Sequence, residues 1–186
     1  IVITESSNNK IIQNIVKGNG KYGIQILNDA TKSANNTIKD NTVNDNSDIA
    51  IFNHGIFTKI INNTVKYNEQ DGIKIASDGA RSSISSNNLV DNEGKSIIIL
   101  AKNVAIKSNT IDADSSEIAI SILNANFASI ENNTIEGGNL GIKVQNSTSA
   151  FIYNNTIKSN SGYGIQVLIN SESARVKYNQ LTDNED

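Results

Sequence analysis

The chain has 186 residues, a formal net charge of −3 and 37% hydrophobic residues, which fits one domain with an efficiently filled core. Its Lys and Arg residues are scattered along the chain, which argues against a nucleic-acid groove or an anionic membrane surface as partner. With no Cys, disulfide, thiolate and Cys-zinc chemistry are excluded, and no apolar run is long enough for a helical membrane span.

The first four residues, Ile1-Val2-Ile3-Thr4, already have strand character and read as the end of a preceding coil. From Ile11 onward one pattern recurs: an apolar residue, two of any kind, Asn, one of any kind, an apolar residue. Its copies are Ile11-Asn14-Val16, Ile38-Asn41-Val43, Ile60-Asn63-Val65, Ile84-Asn87-Leu89, Ile106-Asn109-Ile111, Ile130-Asn133-Ile135, Ile152-Asn155-Ile157 and Val176-Asn179-Leu181. The first interval is 27 residues and the later ones are 22 or 24, while the spacing inside each copy never changes.

A short alternating segment follows each of the first seven copies. In chain order these are Gly23-Ile24-Gln25-Ile26, Asp48-Ile49-Ala50-Ile51, Gly72-Ile73-Lys74-Ile75, Ser96-Ile97-Ile98-Ile99, Glu117-Ile118-Ala119-Ile120, Gly141-Ile142-Lys143-Val144 and Gly164-Ile165-Gln166-Val167. Period-two alternation of β-branched residues over so few positions predicts strands. The repeat therefore supplies three short strands per coil, in about eight coils of 22–24 residues. That length suits one turn of a β-solenoid and falls short of a propeller blade, which needs about 40 residues or more. A leucine-rich repeat would want a Leu consensus and a helical return, whereas here the apolar positions are mainly Ile and Val.

No coil of this kind can bury its own apolar face, so the coils must stack, with strands about 4.8 Å apart and like residues meeting like residues. The small residues Ala128, Ala150 and Ala174 are expected to fill narrow corners. Asn14, Asn41, Asn63, Asn87, Asn109, Asn133, Asn155 and Asn179 are predicted to form a structural ladder, each amide bonding the turn and its neighbour, because a buried amide left unbonded is costly. A second, looser column is Asn19, Asn46, Asn68, Asn92, Asn160 and Asn184.

The blocks Asn41-Thr42-Val43, Asn63-Thr64-Val65, Asn109-Thr110-Ile111, Asn133-Thr134-Ile135 and Asn155-Thr156-Ile157, with the pairs Gly72-Ile73 and Gly141-Ile142, resemble the right-handed parallel β-helix superfamily along essentially the whole chain. The likeness is to the repeats of pectate-lyase-like (pectin lyase-like) proteins, mannuronan C5-epimerases and periplasmic copper-maturation β-helix proteins. It implies an all-β, single-stranded, right-handed solenoid, a frequent connection with polysaccharide, and an extracellular, cell-surface or periplasmic location. Alginate epimerases carry an Asp-Pro-His catalytic signature, and a chain without Pro cannot have it. Residues 1–186 are thus expected to be a single β-helix domain, a fragment of a longer protein whose other domains or subunits cover its open ends. The expected function is a module that contacts polysaccharide. The alternatives are a polysaccharide lyase, C5-epimerase or glycoside hydrolase, or a purely structural spacer or adhesion rod.

Register also predicts which polar residues meet. After the alternating strand, Asn53-His54 should lie near Ser77-Asp78 of the next coil, with Arg81 and Lys102 beyond. His54, Asp78, Arg81 and Lys102 are the catalytic candidates, for proton abstraction beside a carboxylate needs a base and a cation. A lone loop histidine is more often plain surface. At another corner, Asp91, Glu93, Asp112 and Asp114 could hold calcium, a hard cation that takes oxygen ligands, could provide an acid/base pair, or could simply be a solvated acidic face. No other cofactor is expected. Tyr153 and Tyr178, neighbours in successive coils, could stack a sugar or shield the strand surface.

Overall fold

The computed structural model describes residues 1–27, 33–114 and 116–185. Among these residues every ladder is parallel, and the strands form three sheets of eight. The chain visits the sheets in turn, once per coil, as an all-β right-handed parallel β-helix.

The first sheet holds Val2–Thr4, Ile24–Leu27, Ile51–Asn53, Ile73–Ile75, Ile97–Ile99, Ile118–Leu123, Leu140–Gln145 and Ile165–Val167. The second holds Lys10–Ile12, Thr37–Lys39, Lys59–Ile61, Ser83–Ser85, Ala105–Lys107, Ser129–Glu131, Phe151–Tyr153 and Arg175–Lys177. The third holds Ile15–Lys17, Thr42–Asn44, Thr64–Lys66, Asn88–Val90, Thr110–Asp112, Thr134–Glu136, Thr156–Lys158 and Gln180–Thr182. In the second and third sheets each three-residue strand points its middle side chain inward, whereas Ile51–Asn53, Ile73–Ile75 and Ile97–Ile99 of the first sheet each point two inward. Ile38, Ile60, Ile84, Ile106 and Ile130 stack in the second sheet, and Val43, Val65, Leu89, Ile111 and Ile135 in the third, all buried in one core. Burial of these columns at about 25 cal/mol per Å² is the main stabiliser. Ala128 and Ala150 are buried in that core, and Ala174 packs against it partly covered.

The asparagine ladder forms as the spacing requires. Each side-chain amide donates from Nδ2 to Oδ1 of the next rung, from Asn14 to Asn41, Asn63, Asn87, Asn109, Asn133, Asn155 and Asn179, at 2.9–3.0 Å. The same Oδ1 accepts the previous rung's backbone N–H, as Asn109 does from Asn87 at 2.9 Å. The residue before each rung has a positive φ, between 53° and 57°, from Gln13 to Tyr178. Left-handed backbone is costly for most L-residues, and Asp40, Asn62, Asn132 and Asn154 are of the types that tolerate it.

The second column is interrupted. It runs through Asn19, Asn46, Asn68 and Asn92 and resumes with Asn160 and Asn184. Asp114 and Gly138 occupy the intervening positions of the repeat. Asp114 is exposed, and the hydroxyl of Ser116 turns inward to donate to Asn92 O at 2.8 Å. Gly138 offers no side-chain amide, so the buried Oδ1 of Asn160 has no hydrogen-bond donor.

In two coils the first sheet pairs two residues later than the alternating motif suggests. Ile51 meets Ile24 and Ile73, and Ile120 meets Ile97. A two-residue offset keeps the same side chains inward, so hydrophobic alternation cannot detect it. The residues before the first paired inward isoleucine of the seven later strands are Gly23, Ala50, Gly72, Ser96, Ala119, Gly141 and Gly164, all small, and where they are glycine the reason is steric. A Cβ on Gly141 would lie 2.5 Å from Gly164 O, and one on Gly72 would lie 2.6 Å from Ser96 O.

Candidate functional site

The two-residue offset decides what stands on the outer face of the first sheet. The outward row there is Gln25, Phe52, Lys74, Ile98, Ser121, Lys143 and Gln166. It carries no carboxylate. Phe52 and His54 alternate on the same side of one strand and its exit, with ring centres 4.4 Å apart. The Tyr22 ring centre lies 5.3 Å from that of Phe52, and the Lys74 ammonium lies 5.5 Å from the Phe52 ring centre. The result is an aromatic strip with a cation against its ring face.

His54 Nδ1 lies 3.0 Å from Asp78 Oδ1 and 3.3 Å from its Oδ2. Both side chains are part-buried. A carboxylate at that nitrogen favours the tautomer with hydrogen on Nδ1, which leaves Nε2 with a lone pair able to accept a proton. Beneath the pair, the fully buried Asn53 takes a place between Ile26 and Ile75 in an otherwise aliphatic column. Its Nδ2 donates to Gly55 O at 2.8 Å, and its Oδ1 accepts the Gly55 N–H at 3.1 Å. Ser82 Oγ accepts the Thr58 N–H and donates to Gly79 O. These bonds tie the turn after His54 to the turn after Asp78, so the core itself fixes the spacing of the dyad.

The other two catalytic candidates lie around the corner. The Arg81 guanidinium sits 5.6 Å from the Phe57 ring centre, and Arg81 meets Lys102 through a backbone bond, its N–H donating to Lys102 O at 3.1 Å. Tyr153 and Tyr178 do meet, edge to face, with ring centres 5.3 Å apart, on the second sheet and its corner, a different side of the prism.

At the acidic corner the Asp112 carboxyl is pushed up, first by burial and then by the negative charges of Asp114, Asp91 and Glu136, against a lowering hydrogen bond from the Asp114 backbone. Asp114 lies against Gly137, where a Cβ would collide with its Oδ1. Asp114, Glu117, Ser116 and Gly138 line a shallow depression of about 480 Å³. Glu93 is exposed, its backbone N–H bonded to Asn68 O. Among the described residues no group of three or more His, Asp or Glu side chains is placed to hold a metal ion, and calcium has no part in the function proposed below.

The raised Asp112 carboxyl makes a sign prediction. The folded state holds that proton more tightly than the unfolded chain, so Asp112 opposes folding at neutral pH and ceases to do so as pH falls through the carboxylate range. Asp112→Asn is therefore expected to raise the urea midpoint at pH 7 by a small amount, and the gain should shrink near pH 3. An unchanged or lower midpoint at pH 7 would contradict the crowding of negative charge there.

Phe52 and Lys74 were not legible as site residues in the sequence. The signal that could have found them is the small-residue column, which sets the true register and places both in one outward row beside His54.

A family model described as the right handed beta helix region matches residues 1–89 and 53–186. A comparison with curated proteins finds no significant match. Among solved structures, the periplasmic alginate epimerase AlgG is 17% identical and superposes with a TM-score of 0.80 over 98% of this chain and 46% of its own. The A-module of the Azotobacter vinelandii mannuronan C-5 epimerase AlgE4 is 14% identical, with a TM-score of 0.72 over 96% of this chain and 53% of its own. Endopolygalacturonase I from Stereum purpureum, solved with two galacturonates, is 18% identical, with a TM-score of 0.61 over 92% and 67%. The chain spans about half the length of these two epimerases. At such identities the likeness establishes the fold.

Proposed function

Because the chain belongs to the family of the right handed β-helix region, we propose that it is a module that contacts polysaccharide along the outer face of the first sheet. The observation that carries this reading is the strip of Tyr22, Phe52 and His54 with Lys74 against the Phe52 ring. A sugar ring offers an apolar C–H face to an aromatic side chain, and an acidic sugar adds a carboxylate for a cation. Lys74 and Lys143 stand in the same carboxylate-free row, three coils apart, so an acidic chain running along the helix axis meets attraction and no like charge. The solved structures of like fold, an alginate epimerase, a mannuronan epimerase and a galacturonate-bound polygalacturonase, guide the choice of ligand. Such a module would work outside the cytoplasm, in the periplasm or at the cell surface, where these polymers are met.

A second reading, a lyase or C5-epimerase at the same face, is favoured by the His54–Asp78 pair. His54 Nε2 would take the proton next to a uronate carboxylate, Asp78 would hold the ring and stabilise the imidazolium, and Lys74 would offset charge developing on the carboxylate. A hydrolase needs two carboxylates flanking one bond, and the row offers none.

Isothermal titration of the protein with mannuronate and galacturonate oligomers, beside neutral xylan oligomers, tests both readings when paired with assays of unsaturated-product formation and of exchange at C5. Binding of acidic oligomers alone is the expected result. Turnover lost in His54→Gln with binding kept would establish the second reading. No binding by any oligomer would leave a structural spacer.

A further inference from the structure

The second sheet carries another aromatic group, on a different side of the prism from Phe52. Phe151 and Tyr153 alternate outward from one strand, with Ile152 between them pointing into the core. Their rings lie nearly parallel, 14° apart, with centres at 5.5 Å. Tyr178, 75% exposed, sets its edge against Tyr153. Tyr153 is therefore in contact with two rings. Phe151 borders a depression of about 330 Å³ lined also by Ser149, Ala150, Ser173 and Arg175. Arg175 stands next to Phe151 in register on the neighbouring strand. Among the described residues its guanidinium makes no ion pair, and the two strands Phe151–Tyr153 and Arg175–Lys177 hold two cations and no carboxylate.

We infer that this depression is a second glycan-binding site, which seats one carboxylated pyranose ring of an acidic polysaccharide. The inference rests on the proposed polysaccharide contact for the kind of ligand, and on these residues for the place. The volume is at the small end for a ligand site and suits a single ring, not a length of chain. The ligand's apolar face continues the Tyr153–Phe151 stack. Its carboxylate takes the Arg175 guanidinium, whose planar fork matches a carboxylate with two parallel hydrogen bonds. Ser149 and Ser173 supply hydroxyls that can both donate and accept. An exposed ion pair contributes little by itself, so the ring contact and the guanidinium must act together. Tyr153 and Tyr178 are then the backing of the site and not its contact surface. Two sites on different sides of one rod would let the protein hold two chains at once, or one chain twice.

The test is an NMR titration of the intact protein with mannuronate and galacturonate trimers and with neutral xylotriose, following signals of Ser149, Phe151 and the Arg175 side-chain N–H separately from those of Phe52 and Lys74. The acidic trimers are expected to shift the Arg175 group. At least fivefold weaker binding there is expected in Arg175→Gln and in Phe151→Leu, with no change in Phe52→Ala. If Phe52 and Lys74 respond while Ser149, Phe151 and Arg175 stay silent, the second site is wrong and the first stands. If the Arg175 group alone responds, the second site stands and the first is wrong. Silence at both removes both, and equal shifts with xylotriose overturn the role given to the carboxylate.

Discussion

Asn109→Ala should lower the unfolding free energy by about 3–5 kcal/mol, because it orphans several buried groups at once. The Asn109 Oδ1 accepts the Asn87 N–H at 2.9 Å and the Asn87 Nδ2 at 3.0 Å, and its own Nδ2 donates to Ile84 O at 3.1 Å. Truncation strands two donors and a carbonyl in a place with almost no solvent contact, and each unpaired group costs about 1–3 kcal/mol. Asn133 Oδ1 keeps the Asn109 backbone N–H, so the loss falls mainly on the turn before the rung. Asn14→Ala strands no donor among the described residues, since its Nδ2 donates to Ile12 O and to an Asn41 Oδ1 that keeps the Asn14 N–H, and it should cost less than about 1 kcal/mol. Urea unfolding of the two variants beside the parent gives the comparison. Equal losses at both positions would mean that the ladder does not act as a bonded column.

Phe52→Ala should weaken binding of acidic oligosaccharides about 5–30-fold, or about 1–2 kcal/mol, while leaving the fold intact. Phe52 points outward between Gln25 and Lys74, and the inward positions of its strand are Ile51 and Asn53. Truncation therefore opens no cavity in the core. What it removes is the ring that Tyr22, His54 and Lys74 all touch. Titration of parent and variant with one oligouronate, with circular dichroism of both, is the check. Unchanged affinity would move the binding site off this face.

The physics of the repeat decides how much of the fold is legible in the sequence. The second and third sheets were legible because each coil carries the same apolar-to-Asn-to-apolar spacing, and the Asn has one bonding solution that every rung must meet. Register in the first sheet was less legible. Alternation fixes which side chains face inward but is blind to a shift of two, and only the small residues at the corner, Ala50 and Ala119 among them, remove that freedom. The closeness of His54 and Asp78 is legible because both belong to turns after successive strands of one sheet. Arg81 escaped because it lies one corner further, over Phe57. The aromatic strip is hidden along with the register, since Phe52 stands beside Lys74 only once Ile51 is set against Ile73. The break in the second ladder was visible as missing asparagines, whereas the inward turn of Ser116 was not, because nothing in residue spacing says which hydroxyl will replace a lost amide.

His54 is the chain's one histidine, which makes its chemical modification a single-site probe of the proposed contact face. The rate at which diethyl pyrocarbonate acylates it can be measured with and without a saturating mannuronate or galacturonate oligomer. A ligand lying across Phe52 and Lys74 covers His54, so modification should slow several-fold and recover when the oligomer is diluted away. An unchanged rate in the presence of acidic oligomers would contradict polysaccharide contact at this face.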